Sequence, residues 1–261
     1  DVDGIIFDDY FYAYGGTPAS LDQFSQENWK PASMDLHDWR RKNVNQMVAG
    51  VYETIKQNKP WVTFGVSPFG IWTTDPWVAA SYGLSLPAGI TGMDAYKSIY
   101  CDPVAWLSES TVDYISPQLY WPTTSTGQDY KKLAPWWSDV VNHFGRHLYV
   151  SHSLSDLDES DYPPPMAIKS ATSPVIPNEM QGLSMIEYFS YLDSKQAVAG
   201  LDPTEFGLQI QYNRSSDKNQ APGSVFFRTV MLNRKGFINY LRTHEYQNLA
   251  LPPAKVWNSC E

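Results

Sequence analysis

Two adjacent carboxylates, Asp8 and Asp9, follow a short apolar run near the start of the sequence. The preceding residues, Ile5 to Phe7, are β-branched or aromatic, which is typical of a strand buried on both faces of a parallel sheet. Side chains alternate along a strand, so we expect Asp8 and Asp9 to point to different sides, with Asp8 facing inward. Hydrolysis of a glycosidic bond commonly uses one ionised and one protonated carboxyl group. Asp8 is the leading catalytic candidate, and Asp9 is either its partner or a structural anchor.

Other carboxylates give no clear second member of such a pair. Asp75 and Asp94 lie in the loop after the second predicted strand, and Asp156 and Asp158 follow the fourth. Each fits a solvated loop residue better than a catalytic acid. Asp102 directly precedes a proline, which predicts an N-cap and the first position of a helix.

Aromatic and polar side chains cluster at the ends of the predicted strands, where they could contact a sugar. Flat rings can stack on pyranose faces, and amide, hydroxyl or guanidinium groups can bind sugar hydroxyl or acid groups. The alternatives are core packing for each ring, surface pairing for the arginine, and a local hydrogen bond for the histidine. The predicted substrate contacts are Tyr10, Tyr12, Arg40, Ser67, Phe69, Trp72, Gln118, Tyr120, Trp121 and His152.

The elements that position these residues alternate between strand and helix, which predicts an α/β fold with a parallel sheet. In α/β barrels the loops after the strands form the concave face where chemistry is done. The predicted strands lie within residues 2–12, 61–69, 112–121, 147–154 and 223–232, and helices are predicted over 38–59, 102–107, 133–144, 202–212 and 236–246.

The first predicted helix has the clearest pattern. Asp38 is expected to open it, and Lys59 followed by Pro60 should end it. Apolar residues recur along it at the spacing of one buried helical face, namely Val44, Met47, Val48, Val51, Tyr52 and Ile55.

Composition limits the class of protein. The 261 residues fit one α/β domain or two small ones. We predict a single domain, 1–261, in which the alternation of strands and helices is interrupted at 155–200 by an insertion in the loop after the fourth strand. A net charge of -9 argues against a nucleic-acid or anionic-membrane partner, and no run is apolar enough to span a bilayer.

Motifs for cofactors are not apparent in the sequence. No glycine-rich nucleotide-binding motif follows a strand, so no cofactor is predicted. The five histidines are scattered and lack metal-ligand spacing, so no metal site is predicted. The two cysteines, Cys101 and Cys260, are far apart and suggest neither a disulfide scaffold nor a zinc site.

Several long motifs, in order, resemble the glycosyl hydrolase-like family ten proteins. They are VDGIIFDDYFY, DWRRKNVNQMV, VTFGVSPFGIW, VDYISPQLYW with PWW following, and QYNR leading into GSVFF. The family consists of bacterial, usually exported (β/α)8-barrel proteins, with members that cut peptidoglycan glycan strands stripped of their peptides. The resemblance covers nearly all of the chain except 155–200.

The resemblance implies a place for these strands within a larger barrel. In the family the DDYFY strand is the fourth, so the chain is expected to hold the C-terminal five strand-helix units of a (β/α)8 TIM-type barrel, with strands one to three absent. Such a piece exposes two sheet edges, and an associated N-terminal fragment or partner chain is expected to complete the barrel. The resemblance also implies an exported protein, in the periplasm or anchored to the outer membrane at the cell surface.

The sequence therefore predicts a glycoside hydrolase that acts on polysaccharide, with Asp8 and Asp9 as catalytic candidates. The resemblance points to amino-sugar glycans such as peptidoglycan strands. The alternative is a non-catalytic carbohydrate-binding protein on a barrel scaffold. Fold alone does not decide between them, because barrels carry many chemistries.

Overall fold

The computed structural model of the chain describes residues 2–9, 11–14, 16–157, 201–216 and 223–248. Its centre is one sheet of five parallel strands that lie side by side in chain order, an α/β partial barrel with helices packed on it. This confirms the predicted parallel α/β architecture. The strands are β1 (Gly4–Asp8), β2 (Thr63–Ser67), β3 (Tyr114–Ile115), β4 (His147–Ser153) and β5 (Gly223–Phe227).

The helices lie between successive strands, as a parallel sheet requires, except for the last one, which follows β5. They are α1 (Gln23–Trp29), α2 (Leu36–Asn58), α3 (Pro76–Ser81), α4 (Ala95–Ser98), α5 (Pro103–Ser108), α6 (Tyr130–His143), α7 (Pro203–Ser216) and α8 (Phe237–Tyr240). The sequence analysis missed α1, α3 and α4, which are short helices inside regions expected to be loops.

Register brings the carboxyl ends of the first three strands together. Asp8 at the end of β1 lies opposite Ser67 at the end of β2. Beyond the end of β3, Gln118 pairs with Phe69 on one side and with Ser151 of β4 on the other. The predicted clustering of strand-end residues therefore holds for these positions.

Burial is uneven across the sheet. Every residue of β2 is buried, and the main core packs against it. By contrast, Ile5 and Ile6 of β1 are 37% and 43% exposed. The expectation that β1 is buried on both faces is wrong, because β1 lies at an edge of the described sheet and has a strand on one side only.

The long helix α2 has the predicted buried face. Val44 and Val48 are buried, and the other four apolar residues of the pattern pack partly buried against the same core. The helix ends at Asn58, one residue before the predicted end, and Lys59 is its C-cap. It starts earlier than expected, because Asp35 rather than Asp38 caps it by accepting hydrogen bonds from the backbone amides of His37 and Asp38.

The predicted insertion falls largely outside the described residues, since 158–200 are not described. The residues on either side of it are neighbours, because Leu157 pairs with Leu201 and the Leu201 amide donates to the Asp156 carbonyl at 2.6 Å. The chain therefore leaves and re-enters the described part of the fold at one place.

Candidate active site

The two candidate carboxylates lie together at the carboxyl end of β1. Nε2 of Gln118 donates to Oδ1 of Asp8 at 2.9 Å and to Oδ2 of Asp9 at 3.1 Å. Strand alternation predicted that the two side chains would point to different sides, yet they converge on one nitrogen. The reason is local, because Asp9 adopts a left-handed conformation with φ of 53°, which ends the strand and turns its side chain. Aspartate tolerates this conformation better than most residues.

Burial and mutual repulsion determine how the pair ionises. Loss of water on burial, reinforced by the charge of Asp8, raises the pKa of Asp9 to about 7, although hydrogen bonds from Gln118 and Tyr14 oppose this shift. Partial burial also raises the pKa of Asp8, although the hydrogen bond from Gln118 opposes this shift. The Asp8 residue as a whole is exposed to solvent. Within the described residues, no ion pair includes either carboxylate. Near neutral pH Asp9 can therefore hold a proton part of the time, beside the more exposed carboxyl group of Asp8.

Tyr14 is a member of the site that the sequence analysis did not single out. Its hydroxyl donates to Oδ1 of Asp9 at 2.9 Å, and its ring is buried against Phe69 with centroids 6.3 Å apart. Only its place in the aromatic run after Asp9 distinguishes it in the sequence. That run contains several tyrosines, so the sequence could not identify which of them reaches Asp9.

Ser67 and Gln118 are buried next to the carboxylates, and their side chains form hydrogen bonds within the protein. The Ser67 hydroxyl donates to the carbonyl of Ser116 at 2.9 Å, and the Ser67 carbonyl lies 3.2 Å from Nε2 of Gln118. Both residues were predicted to donate to sugar hydroxyls. In the structure the side-chain donors of each are directed at protein acceptors.

The aromatic residues of the β3 end line the same region. The ring of Tyr120 is half-buried and stacks on Phe227, and the charges of Asp8 and Asp9 add to burial in raising its pKa above the usual range. Trp121 is half-buried and packs edge-on against Phe69, which is itself buried. Tyr120 therefore lies near the carboxylates, Trp121 follows it in the chain, and neither residue is fully buried. The predicted contact Tyr10 lies outside the described residues.

Arg40 and Tyr12 belong to a different cluster. Arg40 is 1% exposed, and its guanidinium forms a two-pronged ion pair with Asp22 at 2.6 and 3.0 Å. Its other N–H groups donate to the hydroxyl of Tyr100 and to two backbone carbonyls of the loop before α1. All five donors are thus used inside the protein. The Tyr12 hydroxyl donates to the same Asp22, so both residues anchor this loop instead of facing the carboxylate pair.

Trp72 is a core residue rather than an exposed sugar platform. It is buried, and its indole N–H donates to Oδ1 of Asp102 at 3.0 Å. Asp102 also accepts from the Tyr82 hydroxyl and caps α5 through the amide of Ala105, which confirms the predicted N-cap. Burial raises the pKa of Asp102 to about 6, although these donors oppose the shift.

His152 is fully buried within a polar network. Nδ1 lies 2.7 Å from Oε1 of Gln209, and Nε2 lies 3.4 Å from Nδ2 of Asn213. These partners are satisfied by a neutral ring that donates from Nδ1. Burial lowers the pKa of His152 to about 4, although the hydrogen bond that the ring donates to Gln209 opposes this shift. The local hydrogen-bonding alternative therefore describes this histidine.

The other acidic candidates have structural partners. Asp75 caps α3 and pairs with Lys97 at 2.8 Å. Asp94 caps α4 and accepts from the hydroxyl of Thr73 at 2.8 Å. Asp158 lies outside the described residues.

Two cavities occur away from the carboxylates. One of about 260 Å³ is lined by Trp72, Trp136 and the apolar loop 86–90, and one of about 390 Å³ lies along α2 beside Arg41 and Glu109. Neither is lined by Asp8 or Asp9, which lie on the open edge of the sheet.

In the described part of the chain, no three histidine, cysteine or acidic side chains are grouped so that they could bind a metal ion. No helix among the same residues combines the length and apolar character needed to cross a bilayer.

Sequence comparison places the chain beside known proteins. The profile of the family described as glycosyl hydrolase-like 10 matches residues 1–162. The chain is 32% identical to the glycosyl hydrolase YngK of Bacillus subtilis over 264 residues, a match that covers 98% of this chain and 43% of YngK. It is 39% identical to the glycosyl hydrolase DigH of Escherichia coli over 161 residues, which covers 60% of this chain and 35% of DigH. The chain thus spans less than half the length of either relative.

Proposed function

We propose that the chain contributes a carboxyl pair to a glycoside hydrolase, on the premise that it belongs to the glycosyl hydrolase-like 10 family. The observation that carries the proposal is the meeting of Asp8 and Asp9 on the single amide nitrogen of Gln118. Hydrolases of glycosidic bonds commonly use two carboxyl groups in opposite protonation states. The raised pKa of Asp9 supplies the protonated member near neutral pH.

The two carboxyl groups take different roles in this mechanism. Asp9 donates its proton to the leaving oxygen as the glycosidic bond breaks, since a pKa near the working pH suits a general acid. Asp8, the more exposed carboxylate, acts in its ionised form and stabilises the positive charge that develops on the sugar ring. Water then adds to the charged ring carbon and gives up a proton to Asp9, which completes the hydrolysis and restores the acid. Gln118 keeps the two groups adjacent.

The proposed substrate is a polysaccharide, in particular an amino-sugar glycan such as peptidoglycan strands. The half-buried residues Tyr120 and Trp121 support it, because Tyr120 lies near the carboxylates, Trp121 follows it in the chain, and aromatic rings can stack on sugar faces. This substrate lies outside the cytoplasm, so the proposal includes export to the periplasm or to an anchored position at the cell surface.

The proposed architecture is part of a (β/α)8 barrel. Five parallel strands in chain order support it, as does the exposure of Ile6 on β1 and Phe227 on β5 at the two edges of the described sheet. Three more strand-helix units, from an N-terminal fragment or a partner chain, would fill the gap between those edges. The pairing of Leu157 with Leu201 supports the proposal that 155–200 is an insertion in this domain.

The test is cleavage of peptide-free peptidoglycan strands, with released sugars identified by mass spectrometry. The chain and a longer protein that supplies the proposed additional strands are compared, each as wild type, Asp8→Asn and Asp9→Asn. We expect each substitution to lower the rate by about 100-fold or more, because it removes a charge or a proton donor. Asp38→Asn is the matched control, because Asp38 is exposed on α2 and pairs with Arg41.

The outcomes separate the two functions. Undiminished cleavage by Asp8→Asn would show that the catalytic assignment is wrong. Binding of the strands without cleavage by either wild-type protein would favour the non-catalytic carbohydrate-binding alternative.

A further inference from the structure

The Gln118 side chain is held in one orientation by the strands around it. Gln118 is 2% exposed, and its backbone pairs with Phe69 and Ser151 on either side. Its backbone amide donates to the carbonyl of Pro68 at 2.9 Å. The side chain therefore starts from a fixed backbone position between β2 and β4.

The amide end is oriented by the acceptors that it meets. Nε2 lies within 3.4 Å of four oxygens, one each from Asp8 and Asp9 and two from Ser67. A reversed amide would point its carbonyl oxygen at two carboxylates, which is unfavourable. The NH2 group of Gln118 is therefore fixed toward the two carboxylates. It is not free to rotate and donate to a sugar hydroxyl instead.

The other described groups that act on the pair are uncharged. The Tyr14 hydroxyl donates to Oδ1 of Asp9. The charges of both carboxylates help to raise the pKa of Tyr120, the charge of Asp9 helps to raise that of Cys101, and neither residue carries a positive charge. Among the described residues, the salt bridges bring no lysine, arginine or histidine to either carboxylate.

We propose that Gln118 is a positioning residue that holds the Asp8 and Asp9 carboxyl groups together and stabilises their ionised forms. Two carboxylates at one site repel each other, and burial disfavours charge on both. An amide that donates to both opposes these effects, and it adds no charge of its own. Its contribution to bond cleavage rests on the proposed function, whereas its effect on the carboxyl groups does not.

The test is titration of the aspartate carboxyl carbons by NMR in the wild-type chain and in Gln118→Met. Methionine fills a similar volume and donates no hydrogen bond. We expect the titration midpoints of Asp8 and Asp9 to rise by about one pH unit, because the ionised forms lose a donor. Gln118→Asn, which keeps the amide on a shorter side chain, should shift them in the same direction and serves if the methionine variant does not fold.

Gln209→Met is the matched control. Gln209 is also 2% exposed, and its amide nitrogen also donates inside the protein, to the Trp121 carbonyl and to Oε1 of Glu205. We expect this variant to leave the midpoints of Asp8 and Asp9 at their wild-type values. Unchanged midpoints in a folded Gln118 variant, or equal shifts in the control, would overturn the proposal.

Failure of this proposal is distinguishable from failure of the proposed function. Shifted midpoints in a protein that cleaves no glycan would retain the positioning role and reject the hydrolase. In an active protein, the loss in Gln118→Met should lie mainly in kcat and move the pH profile upward. Cleavage with wild-type midpoints and an unchanged pH profile would reject the positioning role alone.

Discussion

Gln118 and Tyr14 both donate to Asp9, but they differ in how they act on the pair. Gln118 reaches both carboxylates through one nitrogen, whereas the Tyr14 hydroxyl is bonded to Oδ1 of Asp9. Oδ2 of Asp9 is the oxygen that faces Gln118. The two donors therefore hold opposite oxygens of one carboxyl group, and each should have a separable effect on its ionisation.

Removing the tyrosine hydroxyl should affect Asp9 more than Asp8. We expect Tyr14→Phe to raise the pKa of Asp9 by about one pH unit or less, because the ionised form loses one donor. Carboxyl NMR titration measures both aspartates at once. Tyr130→Phe is the control, since Tyr130 is buried and donates to Asn213 elsewhere in the protein. An unchanged Asp9 midpoint would show that this hydrogen bond does not stabilise the carboxylate.

His152 should make the fold sensitive to acid. Burial lowers its pKa to about 4, below the value near 6.5 expected when unfolded, so the unfolded chain binds more protons between these values. Its contribution to stability is therefore present above about pH 6.5 and is lost as pH falls toward about 4, by up to about 3 kcal/mol. We expect His152→Gln to remove this part of the pH dependence, as measured by urea unfolding across that range.

The control for His152 is an exposed histidine. His244 is exposed on the turn after α8, so His244→Gln should keep the acid dependence of the wild type. A His152→Gln protein that loses stability with acid as steeply as the wild type would show that another group causes the effect.

At the scale of elements, the sequence pattern was most informative where it repeats. The spacing of Val44 and Val48 predicted the buried face of α2, and capping chemistry at Asp102 predicted the start of α5. Both signals are local, since they depend on residues within a turn or two of each other.

Contacts between distant residues were the part that the sequence could not provide. Arg40 finds its ion-pair partner 18 residues earlier, in a loop whose path depends on the whole fold. Gln118 meets Asp9 across 109 residues, and only because Asp9 leaves the strand conformation. Alternation along a strand predicts the side of each residue while the strand continues, and it fails at the first turn.

Asp102 links α5 to the loop after β2. Variants of Asp102 should distinguish the stability that comes from its hydrogen bonds as a helix cap from the effect of its charge. We expect Asp102→Ala to cost about 3 kcal/mol of unfolding free energy, because the Ala105 amide, Trp72 and Tyr82 all lose an acceptor. Asp102→Asn should cost much less near pH 7, since burial already disfavours the charged form. Urea unfolding of both variants measures the difference.

The pH dependence gives a further check on Asp102. Its folded pKa of about 6 lies above the unfolded value near 3.9, so the folded state binds more protons between them. Its contribution to stability therefore increases as pH falls through about 6, and Asp102→Asn should reduce that increase. Equal losses for alanine and asparagine at pH 7 would contradict this account.

Over the whole molecule, the two outer strands carry the apolar surface that the described sheet leaves exposed. Ile5 and Ile6 on β1 and Val225 and Phe227 on β5 are all exposed, whereas β2 between them is buried. An exposed apolar edge strand offers unpaired backbone groups to another chain. The same edges are where the proposed barrel would receive its additional strands.

We therefore expect the chain by itself to self-associate through the β1 edge. A lysine on an exposed edge strand opposes such pairing, so Ile6→Lys should lower the apparent mass in sedimentation velocity at a given concentration. Trp77→Lys is the matched control, because Trp77 is 83% exposed but lies on α3, away from both edges. Equal loss of association in both variants would indicate nonspecific hydrophobic contact. Loss of self-association in Ile6→Lys alone would identify the β1 edge as the surface through which the chain associates.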